Sequence, residues 1–333
     1  MFPASAGRSY VATGRRVFTR NRLCSSAALF GSYSSNAMAS AVTSTRSATN
    51  HLVVDSLHVY PLKGTAGFSP HTWPVDERGL RHDRRFMVVD ADGVFISQRT
   101  NPRMALIGAV ISDAGLRISS AARTLDVAFP SSSVPTLRAT VWDDCFDVRV
   151  ADPNASRMLS EVLRAPAQLV WMADDCERLT SVKRGEPRRH VSFADAAPLL
   201  LTTTAALEEL NTRLQRSGSS AIPMDRFRPN VVVRGAEAGA DDHWHTLRIG
   251  NAAFRISNAC KRCKVITIDQ STGEFAGNDP LATLATYRAD GPSVTFGQHM
   301  MAEASGSISV GDAVVTNDTT RTPDGSARCD VRT

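Results

Sequence analysis

Cysteine is scarce in this chain, six in 333 residues, too few and too scattered for a disulfide framework. That points to a reducing compartment. Acidic residues and lysine are both absent from residues 1–50, which carry six arginines (Arg8, Arg15, Arg16, Arg20, Arg22, Arg46). No run is apolar enough to be read as a membrane span. The uncharged stretch Leu23–Thr45 is long enough, but it holds seven serines with Gly31 and Asn36, which makes insertion marginal. No internal repeat is present, and no second Cys-x-x-Cys accompanies the one at Cys260. The formal charge of +5 is a property of the leader. Residues 51–333 hold 32 basic side chains against 33 acidic ones, so binding of a nucleic-acid backbone by the folded part loses its main support. Apolar residues make up 42% of the chain, a globular profile with ample length for a core.

The arginine- and serine-rich, acid-free first fifty residues match an amphipathic organelle presequence, with Val11 and Phe18 seven apart; a basic helix is drawn to an inside-negative membrane. Mitochondrial targeting is the expectation, and membrane attachment is left open.

From His51 onward the chain reads as two β-rich halves. The first, 51–172, opens with a strand in His51–Leu62. It continues with Phe86–Val89 and Val94–Ser97 about a turn at Asp90–Gly93, then Ala105–Ile111, Leu116–Ser119, Leu125–Phe129, and a pair Thr136–Trp142 and Phe146–Val150. A short helix capped by Asn154 carries Met158, Val162 and Leu163 on one face, and Gln168–Met172 follows as a strand. A polar run, 173–189, with Arg178, Lys183, Arg184, Arg188 and Arg189 reads as a solvated linker, or more sharply as a lip for an anionic ligand. The second half, 190–316, has a strand at Leu199–Leu201 and a helix capped by Thr204 with Leu207, Leu210 and Leu214 aligned and Gly218 as its stop. Strands are expected at Asn230–Val233, Leu247–Ile249, Ala253–Ile256, Val265–Asp269, Ser293–Met300 and Ser307–Val315, with a helix over Leu281–Arg288. Residues 317–333 read as a disordered tail. The fold class is mainly β with short helices, barrel-like rather than doubly wound.

The chemistry concentrates at Asn258-Ala-Cys-Lys-Arg-Cys-Lys264. Structural zinc needs four ligands, and neither the isolated Cys145, Cys176 and Cys329 nor His243 and His245 supply a convincing second pair. A redox pair of the thioredoxin type opens a helix, whereas strand-like sequence flanks this one. Two inert buried thiols remain a possible reading. Against it, Lys261, Arg262 and Lys264 surround the pair, and adjacent cations stabilise a thiolate suited to a soft metal. Lys63, the Arg81/Arg84/Arg85 group, Arg99 and Arg228 are candidates to hold an anionic organic part of a cofactor.

Tyr60-Pro-Leu-Lys63, Asp83-Arg-Arg-Phe86, Phe227-Arg-Pro-Asn230, Cys260-Lys-Arg-Cys263, Thr267-Ile-Asp269, Pro280–Arg288, Phe296-Gly-Gln298 and Val310-Gly-Asp312 occur in register. Together, over about residues 51–316, they resemble the MOSC-domain molybdenum proteins, most closely the mitochondrial amidoxime-reducing component family. The resemblance implies a MOSC N-terminal β-barrel domain (51–172) packed against a β-barrel-like MOSC domain (190–316), with molybdenum cofactor (Mo-molybdopterin) between them. It implies Cys263 as catalytic residue and molybdenum ligand. Lys63, Gly64 and Arg85 match positions holding the pterin phosphate, Arg228 and Asn230 match further cofactor contacts, and Lys261 and Arg262 stand beside the ligand.

The activity so implied is a molybdenum-dependent oxidoreductase that removes oxygen from N-hydroxylated substrates such as amidoximes and hydroxylamines. Its electrons would come from cytochrome b5 and an NADH-dependent reductase. Asp195 and Asp269 are candidates to assist proton delivery. The alternatives are a non-catalytic cofactor carrier or a sulfur-relay module like that ending the cofactor sulfurases, the latter weakened because no pyridoxal-phosphate desulfurase sequence precedes. A thiol-only protein with a Cys260–Cys263 disulfide is the remaining rival. Departures from the family pattern are Gly64 for serine, Ala196 and Ala197 for a Thr-Ser pair, and Lys264 for an apolar residue.

Overall fold

The computed structural model describes residues 51–121, 123–180 and 188–318. The leader, Lys183, Arg184 and nearly all of the expected tail lie outside them. The described residues form one mainly β body, in keeping with the class read from the sequence, and no helix among them is long and apolar enough to cross a membrane.

Its centre is an eight-stranded sheet. Six of its strands run in the order Val53–Leu57, Val231–Arg234, Leu199–Thr203, Ser293–Ala304, Ala252–Arg262 and Trp244–Ile249. Val314–Asp318 follows, and Ala289–Asp290 pairs with Ser293–Ala304. The first and last strands approach each other through a bridge between Val53 and Ala313 and a bond from Val54 N to Asp312 O at 2.9 Å. The sheet is therefore nearly a closed barrel, which leaves few unpaired edge groups. Leucine, valine and phenylalanine alternate inward to form its core with Trp244 and Met300.

Leu199–Thr203 and Val231–Arg234 are parallel, and parallel neighbours need a crossover. The helix Thr204–Arg216 provides it. Its cap is Thr203, whose hydroxyl accepts from Ala206 N at 3.1 Å, one residue ahead of the expected Thr204. Leu210 and Leu214 then bury against Phe227, Ile266, Leu284 and Phe296.

A second group of strands joins Phe86–Val89, Gln168–Trp171, Asp144–Val150 and Thr136–Val141 in one sheet, beside the meander Gly108–Ser112, Gly115–Ser119 and Thr124–Ala128. Phe86–Val89 is buried on both faces: Phe86 and Val88 enter one apolar cluster, Met87 and Val89 another. The helix Pro153–Leu163 closes the first cluster with Ala155, Met158, Leu159 and Leu163. Asp152, not Asn154, caps it, accepting from Asn154 N at 2.6 Å; proline at the first helical position fixes the helix start there.

The two halves interleave. Val53–Leu57 pairs with Val231–Arg234, and Thr72–Asp76 pairs with Gly306–Ser309. Two expectations differ locally. The strand expected from Ala105 starts only at Gly108, because Pro102 opens a 3-10 turn that runs through Leu106, its fixed φ suiting a first helical position. Arg178, in the run read as solvated, is buried. Its guanidinium donates to Ser192 O at 2.7 Å, Ala194 O at 2.6 Å and Asp144 Oδ2 at 2.9 Å.

Candidate functional site

The strand Ala252–Arg262 runs eleven residues, carrying Cys260 and ending one residue short of Cys263. Its pairing with Ser293–Ala304 shifts register between Ala259 and Lys261. The partner strand accommodates the irregularity at Gly297, whose φ is +75°. A Cβ there would lie 2.6 Å from Leu201 O, so glycine is required for the close approach. Cys260 ends up inside the fold and Cys263 just beyond the strand, at the start of the 3-10 turn Lys264–Thr267. The sequence expectation of a strand over Val265–Asp269 is met only at Ile268–Asp269.

The two cysteines differ. Cys260 is buried, its sulfur accepts from Arg262 Nη1 at 3.2 Å, and burial pushes its thiol pKa up. Cys263 is half-buried and lines a cleft of about 360 Å³. Its sulfur accepts from Arg99 Nε at 3.3 Å.

The cleft gathers segments from both halves of the chain. Of the sequence candidates, Lys63, Gly64, Arg228, Asn230, Lys261, Arg262 and Cys263 all line it. Lys63 is buried, and its ammonium donates to Phe193 O at 2.7 Å and to the Asp195 carboxylate. Desolvation lowers the Lys63 pKa, opposed by Asp195. Gly64 turns the chain at φ +83°, and its carbonyl accepts from Gln98 Nε2 at 2.8 Å. Arg228, also left-handed at φ 56°, donates to Thr65 O at 2.7 Å. Burial lowers its pKa to about 10. Its guanidinium lies 4.3 Å from the Tyr60 ring centroid, and that of Arg84 lies 4.6 Å from the same ring. Asn230 is buried, accepts from Arg84 Nη1 at 2.9 Å and Leu200 N at 3.1 Å, and donates to His58 O at 3.1 Å. Lys261 is exposed, while Arg262 donates to Phe227 O at 2.9 Å and leaves a buried Nε without a partner.

Arg85 is not among the lining residues. Its guanidinium stacks 4.8 Å from Trp171 and is consumed by Met172 O, at 2.6 Å and 2.9 Å, and Asp174. Arg84 faces the cleft instead. The cause is a left-handed residue at Arg84, φ 50°, which breaks the alternation leading into Phe86–Val89. Arg99 and Asp195, candidates from the sequence for anion holding and proton delivery, also line the cleft, as do Gln98 and Arg226, which the sequence reading did not single out. Arg226 is tied to Asp269 at 2.9 Å. Asp195 is half-exposed; burial pushes its pKa up, but Lys63 foremost, then Arg99 and Trp142, overcome that and hold it at about 2. Position within strands carried no signal for Gln98 and Arg226, since both sit on loops and turns.

Chemically, the cleft offers one accessible thiol, several guanidinium and ammonium groups and a single carboxylate. Such a set suits an anion. Among the described residues no cluster of three or more His, Cys, Asp or Glu side chains could hold a metal ion. A metal at Cys263 would therefore bring most of its own ligands.

Comparison with known proteins gives the same outline. The MOSC N-terminal beta barrel domain profile matches residues 51–166 and the MOSC domain profile residues 188–315. The mitochondrial amidoxime-reducing component 1 of Mus musculus is 31% identical over 280 residues, covering 78% of this chain and 81% of that protein. Mitochondrial amidoxime reducing component 2 of Rattus norvegicus is 31% identical over 287 residues, covering 78% and 82%. The molybdenum cofactor sulfurase of Oryza sativa subsp. japonica is 30% identical over 271 residues, covering 76% of this chain but 33% of that protein. With both domains matched and the two mitochondrial amidoxime-reducing components covered over most of their length, the chain belongs to the MOSC-domain family, as a MOSC N-terminal barrel protein similar to those components.

Proposed function

We propose that this chain is a molybdenum-cofactor-dependent oxidoreductase that reduces N-hydroxylated compounds, amidoximes and hydroxylamines, to the corresponding amidines and amines. The observation that carries the reading is Cys263: a half-buried thiol facing a cleft whose charged groups, Asp195 apart, are cationic. The residues fit the group. A single protein sulfur suffices for a metal that arrives with dithiolene sulfurs, and the pterin phosphate is an anion for which the cleft has the donors.

The chain's own contributions follow from position. Cys263 supplies the metal ligand. Lys63, the backbone of Gly64 and Arg84 form the phosphate end, with Arg228 and Asn230 completing that wall and Arg85 supporting it from behind. Each charge-assisted bond of this kind is worth about 1.5–3 kcal/mol. Lys261 and Arg262 flank the sulfur. When bound, the cofactor supplies the two-electron chemistry that removes the N-hydroxyl oxygen. Asp195 and Asp269, each paired with a cation of the cleft wall, are the proposed proton carriers for the water released. Cytochrome b5 and its NADH-dependent reductase are the proposed electron donors, and residues 1–50 the mitochondrial address. The relatives' names support the amidoxime-reducing and mitochondrial parts of this reading.

The test is molybdenum and pterin content of the natively expressed chain, paired with benzamidoxime reduction by an artificial donor. The reading expects about one molybdenum per chain and benzamidine as product. Similarity to the cofactor sulfurases gives the second reading, a carrier or sulfur-relay module. Bound cofactor without turnover supports that reading, and no molybdenum with a reversible Cys260–Cys263 disulfide supports a thiol protein.

A further inference from the structure

Arg99 is held on three sides. Its Nη2 lies 3.6 Å from Asp195 Oδ2, its guanidinium stacks 4.4 Å from the Trp142 ring centroid, and its Nε donates to Cys263 Sγ at 3.3 Å. Each of its holders is itself fixed. Asp195 is bound by Lys63, and Trp142 Nε1 donates to Asp195 Oδ1 at 3.3 Å while its ring meets Phe95 edge-on at 5.0 Å. Trp142 is unusual on its own account. It is 45% exposed and left-handed, φ 55°, a conformation unfavourable for a bulky residue that persists only where the surroundings impose it. It is the first residue of the two-residue turn joining Val141 to Asp144, a position where the hairpin itself requires a positive φ, and this turn presents the ring to Arg99 and Phe95.

We infer that Arg99 is a positioning residue for the Cys263 sulfur, fixing its rotamer and withdrawing electron density through a charge-assisted N–H···S bond, with Trp142 and Asp195 locking the guanidinium. Hydrogen bonds to a ligand sulfur set the potential of the metal it holds, and residues that orient a ligand are worth about 10–100-fold in affinity or activity. The geometry also spans the fold: Arg99 belongs to the first half of the chain and Cys263 to the second, so the bond makes the sulfur's position depend on how the halves pack. This inference rests on the proposed cofactor reading for its consequence, but not for the bond itself.

Purified cofactor-loaded full-length chain is compared with Arg99→Met, Arg99→Lys, Trp142→Ala and Trp142→Phe. Molybdenum content, the metal's reduction potential, its electron paramagnetic resonance signal, kcat and KM are the readouts. Arg99→Met is expected to lower the potential, change the signal and reduce kcat about 10–100-fold with KM nearly unchanged. Arg99→Lys restores part of the shift, and Trp142→Ala moves in the same direction further than Trp142→Phe. An unchanged potential and signal in a folded Arg99→Met variant overturns the inference, as does a raised KM at unchanged kcat, which would make Arg99 a substrate contact. If Arg99→Met fails to fold, Arg99→Lys carries the same readouts. Should the wild-type chain bind no molybdenum, the cofactor reading fails separately, and the bond is judged in metal-free protein by ¹⁵N NMR. An exchange-protected Arg99 Nε–H resonance that shifts in Cys263→Ala upholds it; no shift overturns it.

Discussion

Arg84 Nη1 donates to Asn230 Oδ1 at 2.9 Å, across 146 positions of sequence. Asn230 passes the restraint on, accepting from Leu200 N and donating to His58 O. The amide is buried, so one side chain ties the first strand, the crossover strand and the cleft wall together. Removing it strands several buried partners, at about 1–3 kcal/mol for each unsatisfied group.

Asn230→Ala is therefore expected to cost about 2–4 kcal/mol in urea denaturation. Arg84 and Arg85 then separate by phenotype. Arg84→Ala lowers pterin content together with stability, because its guanidinium faces the cleft while also pairing the buried Asp83 and bonding Asn230. Arg85→Ala lowers the melting temperature first, since its guanidinium serves Met172 O and Asp174. Equal loss of pterin with no thermal shift in Arg85→Ala would contradict this division.

Asp241 gives a pH signature remote from the cleft. It is buried, neither carboxylate oxygen has a hydrogen-bond partner, and burial, with Asp242 beside it, raises its pKa to about 6. The folded state thus keeps its proton longer than the unfolded chain, whose aspartates titrate near 3.8. Stability gained from this proton is full below about pH 4 and is lost as pH rises through about 6, a change of about 2–3 kcal/mol. Asp241→Asn should flatten that slope and stabilise the protein at pH 7; an unaltered stability–pH curve between 4 and 7 would count against it.

Gly64 tests the backbone of the proposed phosphate end. At φ +83° any side chain is strained, and a Cβ would meet Met104 Cε at 3.1 Å. Gly64→Ala should cost about 1–2 kcal/mol and displace the Gln98 contact to the Gly64 carbonyl, read as a lowered melting temperature with reduced pterin retention.

Much of this architecture is legible in the residues themselves. Alternation marks Leu116–Ser119 and Thr136–Val141, and the strands expected at Leu247–Ile249 and Ala253–Ile256 are found within Trp244–Ile249 and Ala252–Arg262. Cys263 stands out because Lys261, Arg262 and Lys264 surround its motif, and Lys63 and Arg228 because they sit in motifs that resemble those of the MOSC-domain proteins. What is not legible depends on long-range geometry. Nothing local distinguishes Arg84 from Arg85, because the left-handed turn that exchanges their directions is set by packing. The Ala252–Arg262 strand outruns its apolar pattern because a twelve-residue partner, Ser293–Ala304, supports it to the end. Arg178 reads as solvated because its three acceptors come from segments far along the chain. Trp142 shows no sign in sequence that its ring serves an arginine 43 residues earlier.

The central claim is that Cys263, and not Cys260, provides the protein's sulfur to molybdenum. X-ray absorption at the molybdenum edge of wild type, Cys263→Ser and Cys260→Ser reads it directly. The account predicts a wild-type spectrum with one sulfur neighbour more than the cofactor itself contributes, lost in Cys263→Ser and kept in Cys260→Ser. A sulfur count unchanged in Cys263→Ser, or lost in Cys260→Ser alone, would contradict it.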